Sequence, residues 1–292
     1  MRKQACVIAA GEWGGSRCLV KNRDRNYKPN LRLVHTVIDG VEVVYMEDLD
    51  TGWIEGINEY GIGVVNSALL VGHDEAEKKL VKTRGRKSKD GARTLKALSK
   101  KTLDAALKSL QTYQGGIKGH TVVSDAKTGY SLEMTSKHTC VTKPLPESRI
   151  HVRTNHGIEY DDAGYTDGAD YISSLVRRET AQNALESAEK MGDLAPALMG
   201  CRKKDRKHPN NVVRDTDNMF TSSQIVLNLT DLQFNLYLIE GKQTYKGLET
   251  KSSPEGKITI KVFSYDKDGN PKSRKAAERV AMVYSILYGR SF

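Results

Sequence analysis

Two short runs near the N-terminus constrain this chain most. Cys6-Val7-Ile8-Ala9-Ala10-Gly11 and Arg17-Cys18-Leu19-Val20-Lys21 both read as strands, and Glu12-Trp13-Gly14-Gly15-Ser16 lies between them. Paired glycines take positive φ without steric cost, so the segment predicts a tight hairpin. A two-residue turn at Gly14-Gly15 places Cys6 opposite Arg23. A loop one residue longer places it opposite Asp24. Either register brings a thiol close to Lys21-Asn22-Arg23-Asp24. An N-terminal nucleophile needs such a setting: a thiol, charges that lower its pKa, and a carboxylate to orient a nearby amine. On the strand alone, Cys6 is more simply a small buried hydrophobe.

The same hairpin grammar recurs. Leu31–Val37 and Val41–Met46 flank Ile38-Asp39-Gly40, a strong turn signal. Gly56–Gly61 reads as a turn, and Ile62–Ala68 as a buried strand carrying Asn66. Leu95, Leu98, Leu103, Ala106, Leu107 and Leu110 recur at helical spacing, with Asp104 in the first turn of a second helix and Gly115-Gly116 after it. His120–Asp125 and Gly129–Met134 predict another hairpin, followed by strands at Thr139–Thr142 and Ile150–His156. Asp170–Met191 reads as one helix. Ser222–Leu229 and Gln233–Ile239 form a late hairpin, Lys257–Phe263 a strand, and Arg274–Leu287 a terminal helix. Grouped strands and grouped helices indicate α+β architecture in a single domain rather than alternating βαβ units.

Composition narrows the function classes. No apolar run is long enough to span a bilayer, and the N-terminus is too short in apolar residues for a secretory signal, so a cytoplasmic protein without a membrane partner is expected. Cys6, Cys18, Cys140 and Cys201 form no CxxC pair, and His138-Thr139-Cys140 is only a weak metal pattern. No cofactor or metal is expected. The net charge of +10 is concentrated in Lys78–Lys101 and in Arg202–Lys207. Neither cluster is interleaved with aromatics. Both therefore read as solvated faces, with weak sequence-independent nucleic-acid affinity at most.

Four pieces occur in order: Cys6; Lys21-Asn22-Arg23-Asp24; Asn58-Glu59-Tyr60-Gly61-Ile62 with Asn66; and Arg153-Thr154-Asn155-His156. This order resembles the N-terminal-nucleophile hydrolases of the choloylglycine hydrolase, penicillin V acylase and isopenicillin N acyltransferase type. In that family a Cys opens the first strand, Gly-Arg-Asn-x-Asp ends the second, and Asn-Glu-x-Gly-Leu precedes a strand bearing an Asn. Ser173-Ser174-Leu175-Val176-Arg177-Arg178 resembles the family's later helix. Lys207-His208-Pro209 before Thr221-Ser222-Ser223, and Thr102–Leu107, resemble the acyltransferase branch. The resemblance runs from Cys6 to about Gly241.

The resemblance implies a four-layer αββα sandwich of two antiparallel sheets and chemistry on a linear, non-peptide amide. It makes Cys6 the nucleophile once Met1–Ala5 are removed by self-cleavage, and the freed α-amine the general base. Asp24 would hold that amine. Asn66 and Asn155 would line an oxyanion hole, through a main-chain N–H and a side-chain amide. Arg177, or Arg178 in the other register, would support them. Lys21 stands where the family has Arg, a point charge in place of a bidentate fork, and Arg23 is the candidate to compensate. The expected partner is a small-molecule N-acyl amide, and a homo-oligomer is expected. Two rival readings are a catalytically silent basic binding module of the same fold, and a papain-like hydrolase with His35, His120, His151 or His156 as base.

Overall fold

A computed structural model describes residues 4–69, 89–111, 119–135, 138–147, 149–201, 205, 207–266 and 270–272. Two sheets stack face to face. The first runs β10-β1-β2-β12-β13-β15, with β11 appended to β12. Its strands are β1 (Gln4–Trp13), β2 (Ser16–Arg25), β10 (His151–Arg153), β11 (Asp215–Thr216), β12 (Met219–Asn228), β13 (Gln233–Ile239) and β15 (Thr259–Tyr265). The second runs β14-β3-β4-β5-β6-β7-β8-β9. It comprises β3 (Asn30–Ile38), β4 (Val41–Asp48), β5 (Ile54–Asn58), β6 (Gly63–Ala68), β7 (Gly119–Ser124), β8 (Gly129–Met134), β9 (Val141–Pro144) and β14 (Thr244–Thr250). The pairing is antiparallel except for β13 with β15 and β14 with β3, which are parallel. The expected pair of antiparallel sheets is thus a pair of mixed sheets.

Strand alternation builds the layers. Ile8, Ala10 and Leu19 face the second sheet and meet Leu31, Leu33, Val44 and Met46 in the middle core. Val7, Ala9, Cys18 and Val20 face outward, beneath α3 (Gly168–Glu186) and α4 (Met191–Gly200). On the opposite side, Val43, Val64 and Val123 lie under α1 (Lys89–Leu98) and α2 (Leu103–Gln111). The order helix, sheet, sheet, helix is the αββα arrangement.

Local chemistry explains the element ends. Gly14 and Gly15 have φ of 58° and 76°, so Trp13 pairs with Ser16 and Cys6 with Arg23. The shorter of the two loops is the one formed. Thr102 accepts the Ala105 N–H at the start of α2. The expected helix over Asp170–Met191 is two helices. It breaks after Glu186, and the Asp193 carboxylate accepts the Lys190 N–H to start α4. Gly56 belongs to strand β5 and not to a turn, paired with Tyr45 and with Val64, and a Cβ there would lie 2.5 Å from the Val44 carbonyl oxygen. The Gly115-Gly116 end of α2 and the Arg274–Leu287 helix lie outside the described residues.

Candidate active site

Cys6 and the basic end of β2 share one face of the first sheet. Cys6 pairs with Arg23 across the hairpin, and paired residues project to the same side. Lys21, Arg23 and Arg25 therefore enter the space between the sheets with Cys6, whereas Asn22 and Asp24 face the helices. All five of these β2 side chains are buried, and Cys6 is 2% exposed. The second sheet supplies the counter-charges. Lys21 and Arg23 both contact the Glu55 carboxylate on β5. Asp48, at the end of β4, lies 3.4 Å from Arg23 Nη1 and 3.2 Å from Arg25 Nε, and accepts the Tyr27 hydroxyl at 2.8 Å. Arg25 Nη1 reaches Cys6 Sγ at 3.7 Å. Asn66 accepts from Lys21 Nζ at 3.0 Å and donates to the Ile54 carbonyl.

The main-chain nitrogen of Cys6 has its own partner. β10 pairs with β1 only as far as Arg153 opposite Ile8. Beyond that point the Asn155 side chain continues the ladder, and Cys6 N donates to its Oδ1 at 3.2 Å. The same oxygen accepts from Arg177 Nη2 at 3.0 Å. Asn155 Nδ2 donates to the Ala68 carbonyl at 2.8 Å and to Ser67 Oγ at 3.2 Å. Arg only donates and a carbonyl only accepts, so these neighbours fix which way the amide points. Arg177 Nη1 lies 3.5 Å from Asp24 Oδ2, and Thr221 donates to Asp24 Oδ1 at 2.7 Å. A polar chain thus runs from the Cys6 nitrogen through Asn155 and Arg177 to Asp24.

No protein-family model matches the sequence, and no curated protein matches it. Among solved structures, an ortholog of N-acylethanolamine-hydrolyzing acid amidase from Caenorhabditis elegans superposes with a TM-score of 0.54 at 13% identity, covering 77% of this chain and 93% of that one. The fold is that of the N-terminal-nucleophile hydrolases. A penicillin V acylase from Agrobacterium tumefaciens gives a weaker superposition, with a TM-score of 0.43 at 16% identity, covering 81% of this chain and 86% of that one. Within the αββα sandwich of this chain, Cys6 lies between the two sheets, and its nitrogen faces the β10 edge.

Electrostatics sets Cys6 apart from the other cysteines. Burial pushes its thiol up, but Lys21, Arg25 and Arg23 together outweigh burial and the nearby Asp24, so the pKa falls below the ordinary thiol value. Burial raises Cys18 to about 12 and Cys201 to about 11, and it also raises Cys140. Asp24 is raised by burial against the pull of Arg177, Arg214 and Thr221.

The structure separates the remaining candidates. Ser173, Arg177, Ala181 and Leu185 form one buried row at four-residue spacing on α3. Arg177 lies on that row and Arg178 does not. Arg178 instead approaches His156 Nε2 at 3.5 Å. None of the four histidines weighed as a papain-like base has a described contact with a cysteine. His35 bonds Glu42 and His120 bonds the His156 carbonyl. His156 bonds Ser174, and burial lowers His151 to about 3. His138 stacks on Tyr160 and bonds Thr135, and the described residues contain no cluster suited to a metal ion. Much of the Lys78–Lys101 run lies outside the described residues. Within the rest, Lys96 and Lys101 are exposed but Arg93 is buried, so that segment is not wholly a solvated face. The described residues contain no helix long and apolar enough to cross a membrane.

Sequence reasoning missed Asp48, Glu55, Arg25 and Ser67. Arg25 carries a usable signal, since it continues the alternation of Lys21 and Arg23 on the Cys6 face. Glu55 carries none, because a lone acid beside a glycine reads as a turn.

Proposed function

We propose that this chain is a cysteine N-terminal-nucleophile amidase acting on linear N-acyl amides through a thioester. The observation that carries the reading is the hydrogen bond from Cys6 N to Asn155 Oδ1, within the Asn155–Arg177–Asp24 chain. A strand nitrogen needs only a ladder partner. This one sits in a buried polar cage suited to an amine.

The first step is processing. Cys6 Sγ attacks the Ala5 carbonyl carbon, acyl transfer from nitrogen to sulfur gives a thioester, and water releases the preceding segment. The Cys6 nitrogen becomes an α-amine with an ordinary pKa of about 7.7–8.0, near that of an effective base at neutral pH. In the catalytic cycle, Sγ attacks the substrate carbonyl. The α-ammonium passes a proton to the leaving amine, and the amine then takes a proton from the water that hydrolyses the thioester. Transfer to an acceptor amine in place of water would be the acyltransferase outcome of the same intermediate.

Asn155 has a role different from the one the resemblance implies. Its two N–H groups already face Ala68 and Ser67, so its contribution here is to hold the Cys6 nitrogen through Oδ1. Asn66 acts through Lys21, which its side chain orients.

Two measurements test the reading. Purified protein incubated with a panel of N-acyl amides should release amine, lose the residues ahead of Cys6, and show a transient mass increase of one acyl group on the Cys6 peptide. Amine release without either mass change would rule out the N-terminal-nucleophile route. In processed protein, iodoacetamide at mildly acidic pH should label Cys6 ahead of Cys18, Cys140 and Cys201, because only its thiol is lowered. Preferential labelling of any of the other three would move the reactive thiol elsewhere.

A further inference from the structure

The space between the sheets holds an unbalanced set of charges. Lys21, Arg23 and Arg25 meet Asp48 and Glu55, every side chain fully buried. Counted as ionised, these three basic side chains exceed the two carboxylates by one, and burial drives Lys21, one of the three, well below its ordinary pKa. Tyr27, which also touches Asp48, is held neutral by burial. Asp24 projects to the helix side, where Arg177 and Arg214 already surround it. Buried charge without a counter-charge is strongly unfavourable. The ionisable group left on this face is the Cys6 thiol, which Lys21, Arg25 and Arg23 all favour as thiolate.

The three cations are not equivalent. Arg23 directs Nη1 to Asp48 and Nη2 to Glu55. Lys21 directs Nζ to Glu55 and Asn66. Arg25 gives Nε to Asp48 and Nη1 to the Asp24 carbonyl at 2.7 Å, and the same Nη1 lies 3.7 Å from Cys6 Sγ. Its Nη2 is buried and has no acceptor. Among the described contacts, Arg25 alone brings a guanidinium to the sulfur, with donor capacity to spare.

We infer that Arg25, held by Asp48, is the residue that keeps Cys6 ionised, in place of Arg23, the residue expected to compensate for Lys21. The inference rests on reading Cys6 as the nucleophile. The alternation along β2 makes the exchange possible: positions 21, 23 and 25 all face the thiol, so the guanidinium can move two or four residues along the strand without leaving the site. Lys21 exerts the larger pull on the thiol through space, but burial drives its own pKa well below the ordinary lysine value, whereas Arg25 stays charged and touches the sulfur; Glu55 and Asp48 act as positioning residues.

The test reads the thiolate directly and needs no substrate. The ultraviolet thiolate absorbance is titrated in wild type, Arg25→Met, Arg25→Lys and Lys21→Met, each against the same protein carrying Cys6→Ala. Arg25→Met should raise the Cys6 midpoint by about one pH unit or more, the effect of losing an opposite charge at this range. Arg25→Lys should raise it less, since an ammonium cannot serve Asp48, the Asp24 carbonyl and Sγ together. Lys21→Met should also move it less than Arg25→Met. An unmoved midpoint in Arg25→Met, or a larger shift in Lys21→Met, overturns the inference. If Arg25→Met does not fold, an unmoved midpoint in Arg25→Lys does the same. A wild type that turns over no amide, yet shows an Arg25-dependent midpoint, supports the thiolate assignment while counting against the amidase reading.

Discussion

Cys6→Ala should leave the residues ahead of position 6 attached and reduce amide turnover by about 10⁴-fold or more, the scale seen when a covalent nucleophile is removed. Both losses follow from one atom. Sγ is the group that attacks the Ala5 carbonyl in processing and the acyl carbonyl in turnover. The fold should survive, since Ala5, Ala9 and Ala10 already occupy the same buried strand and Cys6 contributes only a small side chain to it. Intact mass, turnover of a generic N-acyl amide and thermal melting are the readouts. A Cys6→Ala protein that is still processed, or that retains turnover within a few-fold of wild type, would place the nucleophile elsewhere. An unfolded variant would instead mark Cys6 as a packing residue.

The architecture was legible where local pattern and tertiary contact agree. The Gly14-Gly15 and Asp39-Gly40 turns, with positive φ at each position, set their hairpins from sequence alone. The alternation of Ile8 and Ala10 against Val7 and Ala9 is also readable once β1 is known to be covered on both faces. What failed to show was long-range or exceptional. β14 runs parallel to β3 from far away in sequence, is interrupted by a register shift and is half-exposed, so neither a hairpin signal nor a clean period-two pattern announces it. β5 was concealed by its buried acid, because Glu55 and Gly56 look like solvent-facing turn residues until Lys21 and Arg23 are placed opposite. The site split the same way. Cys6, Asp24, Asn155 and Arg177, the last with Arg178 as its alternative, could be named only through the family resemblance that their order carries. Asp48 and Glu55 could not, since their meaning lies in charges contributed by a strand of the other sheet.

Glu55 gives the largest expected effect on stability. Its carboxylate contacts both Lys21 and Arg23, and all three side chains are fully buried. Glu55→Leu leaves the inter-sheet cluster with three basic side chains and one carboxylate, Asp48, and removing one partner of a buried ion pair costs about 3–5 kcal/mol. Adding Lys21→Met should recover much of that loss. The double variant holds two cations, Arg23 and Arg25, against Asp48, which restores the net charge of the original cluster with one fewer ion to desolvate. Arg25, Asp48 and Cys6 keep their contacts in both variants. Denaturant unfolding midpoints of the wild type, the two single variants and the double variant form a closed cycle, whose coupling term should be large and favourable. Strictly additive effects would show that Lys21 and Glu55 do not compensate each other, and that the cluster's charge balance is not what fixes these residues between the sheets.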